Sequence, residues 1–184
     1  ENCPDTAAQL GFCKGAQTND HILTLKTIID KYRSKKPGKL LACFVDLRKA
    51  FDSVCRTALL YKLTKLGIRG NFFCVLENMY KNSVARIKLS GKMSEIFKIL
   101  IGTEQGHPLS PELFKVFIHD LSEELDKVLN CPYLSATMIS HLLWADDLVL
   151  LALDPKSLHE LMKILERFCK TWGLQINQKK TKIM

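Results

Sequence analysis

No apolar run in this sequence reaches the roughly 18 residues of a membrane-spanning helix, because the most apolar stretches are broken by His141, Asp146 and Asp154. The N-terminus is acidic and polar, so no signal peptide is expected there. Seven cysteines, at 3, 13, 43, 55, 74, 131 and 169, form no CxxC pair and no regular spacing. They argue against a zinc ribbon or a disulfide framework and read as reduced core residues of an intracellular protein. The histidines His21, His107, His119, His141 and His159 show no ligand spacing with a cysteine pair. A GxSxG elbow, a P-loop and a GxGxxG turn are all missing, which removes the common signatures of serine hydrolases, P-loop NTPases and dinucleotide-binding proteins. Internal repeats and low-complexity tracts are missing too, so a solenoid or a disordered linker does not fit.

What is present is a chain of 184 residues, 47% hydrophobic, enough for one domain with a sizeable core or a domain with a small appendage. Net charge is +8, with clusters at Lys31, Arg33, Lys35, Lys36 and Lys39 and at Lys179, Lys180 and Lys182. An excess of this size favours a polyanionic partner, of which a phosphate backbone is the commonest, although solubility alone also accounts for it. Lys182-Ile183-Met184 looks like the start of a strand, and the chain reads as part of something longer.

Apolar residues at helical spacing predict helices over about 20–33, capped by Thr18 or Asn19, and over about 54–66, 70–80, 110–129 and 155–171. Ser110 and Pro111, and again Asp154 and Pro155, are helix starts. Leu40 to Asp46 is a short apolar strand that ends in an acid. Ala85 to Leu89 and Ile96 to Ile101 flank a Ser90-Gly91-Lys92 turn, and residues 139–152 form a second hairpin. Leu174 to Asn177 reads as a turn before the basic tail. A sheet made largely of antiparallel pairs and backed by helices satisfies this order, so the fold class is α+β and palm-like.

The second hairpin carries the chemistry. In Leu142-Leu143-Trp144-Ala145-Asp146-Asp147-Leu148-Val149 two adjacent carboxylates sit between apolar strands. Asp is a common turn former. Yet a buried carboxylate is costly unless it is paired or coordinates a cation, and two at one hairpin tip repel unless something positive lies between them; Asp46 ends a strand that could lie alongside. Three such carboxylates can hold two divalent ions about 4 Å apart, activating a hydroxyl and steadying a phosphoryl group in transfer. Hard oxygen donors select Mg²⁺ over zinc. Asp52 is left out of this set, since the turn after Asp46 points it elsewhere.

The segments FVDLRKAFDSV (44–54), GTEQGHPLSP (102–111), WADD (144–147) and WGLQINQKKTKI (172–183) resemble, in order and spacing, the polymerase motifs of reverse transcriptases of non-long-terminal-repeat retrotransposons. QLGFCKGAQTNDHI (9–22) resembles the fingers motif just upstream. The resemblance covers essentially the whole chain. It implies an RNA-directed DNA polymerase core: part of the fingers over 1–39, a palm over 40–184 with a fingers/palm insertion at about 54–101, and no thumb. It further implies two Mg²⁺ ions, replaceable by Mn²⁺, and as partners an RNA template, a DNA primer and deoxynucleoside triphosphates, with no membrane. An intracellular site, the nucleus before the cytoplasm, goes with the family.

By the same resemblance Asp46, Asp146 and Asp147 are metal ligands and catalytic acids, and Leu47 offers its backbone carbonyl to the nucleotide-side ion. Phe51 is the steric gate against a ribose 2′-OH. Gln105 and Gly106 lie over template and incoming nucleotide, and Trp144 stands beside the primer terminus. Lys180, or its neighbour Lys179, is the base-rich motif's residue at the pyrophosphate. Judged by residue type alone, Phe51 is equally a core phenylalanine, Gln105 a loop residue, and Lys179 and Lys180 solvated charge. The sequence departs from the family pattern at Trp144, where Tyr or Phe is usual, at Cys13, where Arg is common, and at His107 in place of Cys. The rival reading is therefore an inactive or domesticated reverse-transcriptase-like binding module.

Overall fold

The computed structural model describes residues 11, 15, 17–34, 39–104 and 106–184. Cys13, Gln105 and the Lys35-Lys36-Pro37-Gly38 stretch lie outside the described residues. The elements run α1 (Thr18–Arg33), β1 (Leu41–Val45), a 3-10 turn (Phe51–Ser53), α2 (Arg56–Lys65), α3 (Asn71–Lys81), β2 (Val84–Ala85), β3 (Lys88–Leu89), β4 (Lys92–Met93), β5 (Phe97–Lys98), α4 (Ser110–Leu125), β6 (Tyr133–Leu134), β7 (Thr137–Met138), β8 (His141–Trp144), β9 (Asp147–Ala152), α5 (Pro155–Trp172) and β10 (Lys182–Ile183).

The main sheet has the order β10-β1-β9-β8, antiparallel throughout. Alternation along each strand divides its side chains between two layers. On one face Cys43, Val45, Leu143, Leu148 and Leu150 join Phe114 and Phe117 of α4 and Leu161, Leu165 and Phe168 of α5 in the principal core. On the other, Ala42, Leu142 and Leu151 meet Ile28 of α1, with Leu25, Tyr32, Phe44 and Val149 partly buried around them. This is an α+β fold with a palm-like antiparallel sheet between helices. No helix among the described residues is long and apolar enough to cross a membrane.

The helices start and stop for local reasons. Asp154 accepts hydrogen bonds from the backbone N–H groups of Lys156 (2.7 Å) and Ser157 (3.0 Å), and Gly173, in the left-handed region, closes the far end of α5. The cap of α1 is Gln17 rather than Thr18 or Asn19, with the Asp20 carboxylate reaching back to the Gln17 N–H at 2.7 Å. The predicted hairpin of 85–101 is two short ribbons, β2 with β5 and β3 with β4. Ser94 interrupts the ladder, because its hydroxyl accepts from the Ile87 N–H at 2.9 Å.

Candidate active site

Three segments converge at one end of the sheet. The β1–β9 pairing ends at Val45 opposite Leu148. One residue further in the same register, Asp46 comes opposite Asp147, and alternation turns both towards the α1 side of the sheet. Asp147 in turn pairs with Trp144, which leaves Ala145 and Asp146 as a two-residue turn. Ala145 has φ +56°, a conformation that a hairpin of this kind usually gives to glycine. Burial pushes the Asp146 carboxyl above its ordinary range, and the charges of Asp147 and Asp46 push it the same way, against a backbone N–H that lowers it. The three acids therefore feel one another across the tip of the sheet.

The third segment is the chain after α5. The sequence reading made 174–177 a turn, whereas here it runs antiparallel beside the residues that follow β1, with Ile176 bridged to Leu47 and the Arg48 N–H donating to the Gln175 carbonyl at 2.8 Å. Asn177 is the residue that sequence reasoning missed. Its side-chain amide donates to Asp46 Oδ2 at 2.8 Å, and its backbone N–H donates to the Asp46 carbonyl at 2.8 Å. Lys180 Nζ stands 3.6 Å from Asp46 Oδ1. Asn in a turn carries only a generic signal, so nothing in residue type alone pointed to this contact.

A cavity of about 590 Å³ opens on Asp46 and is lined by Leu47, Arg48, Lys49, Ser53, Gln175, Asn177 and Lys180. One acid, Asp46, and three cations, Arg48, Lys49 and Lys180, share this lining, a composition suited to a phosphorylated ligand. Lys180 is in this lining; Lys179 is exposed and is not part of it. Arg48 and Lys49, unassigned in the sequence reading, belong to it.

Phe51 is half-buried and stacks on Phe114, with centroids 4.4 Å apart and planes inclined 22°. Its carbonyl accepts from the Thr103 N–H at 2.9 Å, which ties the 3-10 turn to the loop that leads to Gly106. That loop is pinned from below by Arg56, a buried guanidinium donating to the carbonyls of Gly102 (2.8 Å), Ile99 (2.7 Å) and Tyr80 (3.1 Å). Gly102 is required there: its φ is +87°, and a Cβ would lie 2.9 Å from the Asp52 carbonyl oxygen. The loop ends where Ser110, first residue of α4, donates its hydroxyl to the Glu104 carbonyl. Trp144 is partly exposed and meets the buried His21 ring edge-on at 5.9 Å.

Residues 3–184 match the family described as reverse transcriptase (RNA-dependent DNA polymerase). The chain belongs to this reverse transcriptase family. It is 30% identical over 180 residues to a retrovirus-related Pol polyprotein from a type-1 retrotransposable element R2 of Popillia japonica, covering 95% of this chain and 25% of that protein. It is 29% identical over 184 residues to a probable RNA-directed DNA polymerase from transposon BS of Drosophila melanogaster, covering 94% of this chain and 19% of that protein. The chain thus spans a quarter or less of these relatives, which come from non-long-terminal-repeat elements. Among solved structures, telomerase from Candida albicans shares the fold, with a TM-score of 0.72 at 17% identity over 96% of this chain and 32% of that one.

Among the described residues no three His, Cys, Asp or Glu side chains close into a metal-holding cluster. At Asp46 one carboxylate oxygen accepts from the Asn177 amide and the other faces the Lys180 ammonium. The donor set nevertheless suits a hard divalent cation. All three candidate donors are carboxylates, and the Asp146 carboxyl is raised first by burial and then by the charges of Asp147 and Asp46.

Proposed function

We propose that this chain is the core of an RNA-directed DNA polymerase that adds deoxynucleotides to a DNA primer on an RNA template. The observation that carries the reading is the cavity lined by Asp46 together with Arg48, Lys49 and Lys180 at the end of β1; Asp146 and Asp147, in the neighbouring hairpin, are not part of its lining. Asp46, Asp146 and Asp147, with the Leu47 carbonyl, would hold Mg²⁺ or Mn²⁺. Bound there, the ions supply an activated 3′-hydroxyl and charge neutralisation at the phosphorus under attack.

The chain's own residues do the rest. Phosphoryl transfer needs positioning and electrostatics more than covalent chemistry. The primer 3′-hydroxyl gives up its proton to water and its oxygen bonds to the α-phosphorus as the bond from that phosphorus to the bridging oxygen of pyrophosphate breaks. Arg48 and Lys49 face the triphosphate, and Lys180 is the cation placed to receive the negative charge on the departing pyrophosphate and to give it a proton. Lys179 is assigned to the nucleic-acid backbone outside the cavity. Phe51 borders the sugar at C2′, Gln105 and Gly106 cover the template base, and Trp144 supports the primer end. Residues 1–39 serve as part of the fingers and 40–184 as the palm, with 54–101 inserted between the acids.

The test is primer extension on an RNA template, with four deoxynucleoside triphosphates and Mg²⁺, by the protein carrying these residues at its natural length. Products lengthening one nucleotide at a time are expected. Tight binding of primer-template with no extension in Mg²⁺ or Mn²⁺ would overturn the polymerase reading in favour of a binding module.

A further inference from the structure

We propose that Gly11 is a positioning residue for the catalytic turn, acting through the backbone of Ala145; this rests on reading Asp146 and Asp147 as catalytic acids. Gly11 is buried, and a Cβ at this position would lie 2.3 Å from the Ala145 nitrogen, 3.1 Å from the Trp144 carbonyl carbon and 3.2 Å from the Ala145 Cα. All three are backbone atoms, so no rotamer change can make room. Either the turn moves or the Gly11 segment withdraws. At Gly15 a Cβ would meet nothing within 4 Å among the described residues, which places the steric demand at Gly11.

Two further observations show that the turn needs holding. Ala145 sits at φ +56°, a conformation an alanine keeps only where its surroundings impose it. On the flank of the same turn Trp144 is met by His21, a buried imidazole whose Nε2 has no hydrogen-bond partner among the described residues. The residues N-terminal to the sheet thus touch both the backbone of the turn and the side chain beside it. His21 meets Trp144 from the α1 side, the side to which alternation turns Asp46 and Asp147. Contact this close between Gly11 and Ala145 fixes how far the tip can ride towards α1, and with it the separation of Asp146 and Asp147 from Asp46. A displacement of about 1 Å at reacting groups costs on the order of a hundredfold in rate.

Gly11→Ala tests this by two readouts. Hydrogen exchange across 142–150 should quicken while α4 and α5 keep wild-type exchange. In primer extension the rate should fall about a hundredfold, and the Mg²⁺ concentration for half-maximal rate should rise with primer-template affinity unchanged, a split that a general loss of folded protein does not produce. Wild-type exchange in 142–150 together with wild-type Mg²⁺ dependence would overturn the proposal. If Gly11→Ala folds too poorly to measure, the chain lacking residues 1–15 decides by exchange alone: faster exchange in 142–150 supports the brace and unchanged exchange overturns it. Should the wild-type protein extend no primer, the polymerase reading falls while the exchange result still decides the role of Gly11.

Discussion

Asp46 takes a hydrogen bond from Asn177 and lies within ion-pair distance of Lys180, so a single carboxylate gathers the end of β1 and the chain after α5 into one wall. That the three acids come near one another was legible in the sequence, because apolar strands flank each of them and pair in the sheet. Asn177, Arg48 and Lys49 were not, since their roles come from which segments pair rather than from residue type. Phe51 is a residue whose two readings make different predictions. Stacked on Phe114, it contributes packing whatever else it does. If it also closes the space beside the sugar C2′, Phe51→Ala should raise ribonucleotide incorporation relative to deoxynucleotide by roughly 10- to 100-fold, the scale of discrimination a filled pocket gives. Competition assays with matched ribo- and deoxynucleotides measure this. Reduced stability with an unchanged ratio would make the ring a packing residue only.

At the scale of elements, the junction of α2, α4 and α5 is tied by Lys62. Its buried ammonium pairs with Asp120 at 2.5 Å and stands over the rings of Trp172 (4.1 Å), Phe168 (4.6 Å) and Phe117 (4.9 Å), while burial lowers its pKa. Lys62→Ala should cost about 2 kcal/mol of unfolding free energy, and Lys62→Met less, because its stem stays packed. Urea denaturation checks this; losses within ~0.5 kcal/mol, the range of ordinary surface substitutions, would contradict it. A second tie joins α4 to the acidic hairpin: His141, fully buried, bridges Ser122 and Ser140, and its hydrogen bond, with that of Ser140, holds the Asp126 carboxyl below its ordinary value of 3.8. A carboxyl with a depressed folded pKa adds stability above the unfolded value and loses it as pH falls through the folded one. The wild type should therefore weaken below about pH 4 by a component that Asp126→Asn lacks, modest because Asp126 is half exposed. Identical stability-pH curves from pH 7 to 3 would contradict this. Helical periodicity predicted all five helices. It gave no sign of β6 and β7, two residues each, nor that Lys62, three residues after Leu59, falls on the buried face.

For the whole molecule, the charge of +8 suits the proposed nucleic-acid partner. Antiparallel pairing is what made the architecture readable, because it lets an acid at the end of β1 meet a hairpin about a hundred residues away in sequence. Primer-template affinity should fall linearly with salt on a log–log scale, and Lys179→Ala should reduce that slope by about 1. A wild-type slope in the variant would place that cation away from phosphate. The central claim is that the acids at the tip of β1, β8 and β9 perform nucleotidyl transfer. The measurement that meets it most directly is single-nucleotide primer extension by wild type and Asp146→Asn side by side, in Mg²⁺ and in Mn²⁺. Asparagine keeps the shape and removes a charge that both proposed ions would need, so the variant should lose nearly all of the rate in either metal while binding primer-template as before. Equal extension by the two proteins would contradict the claim.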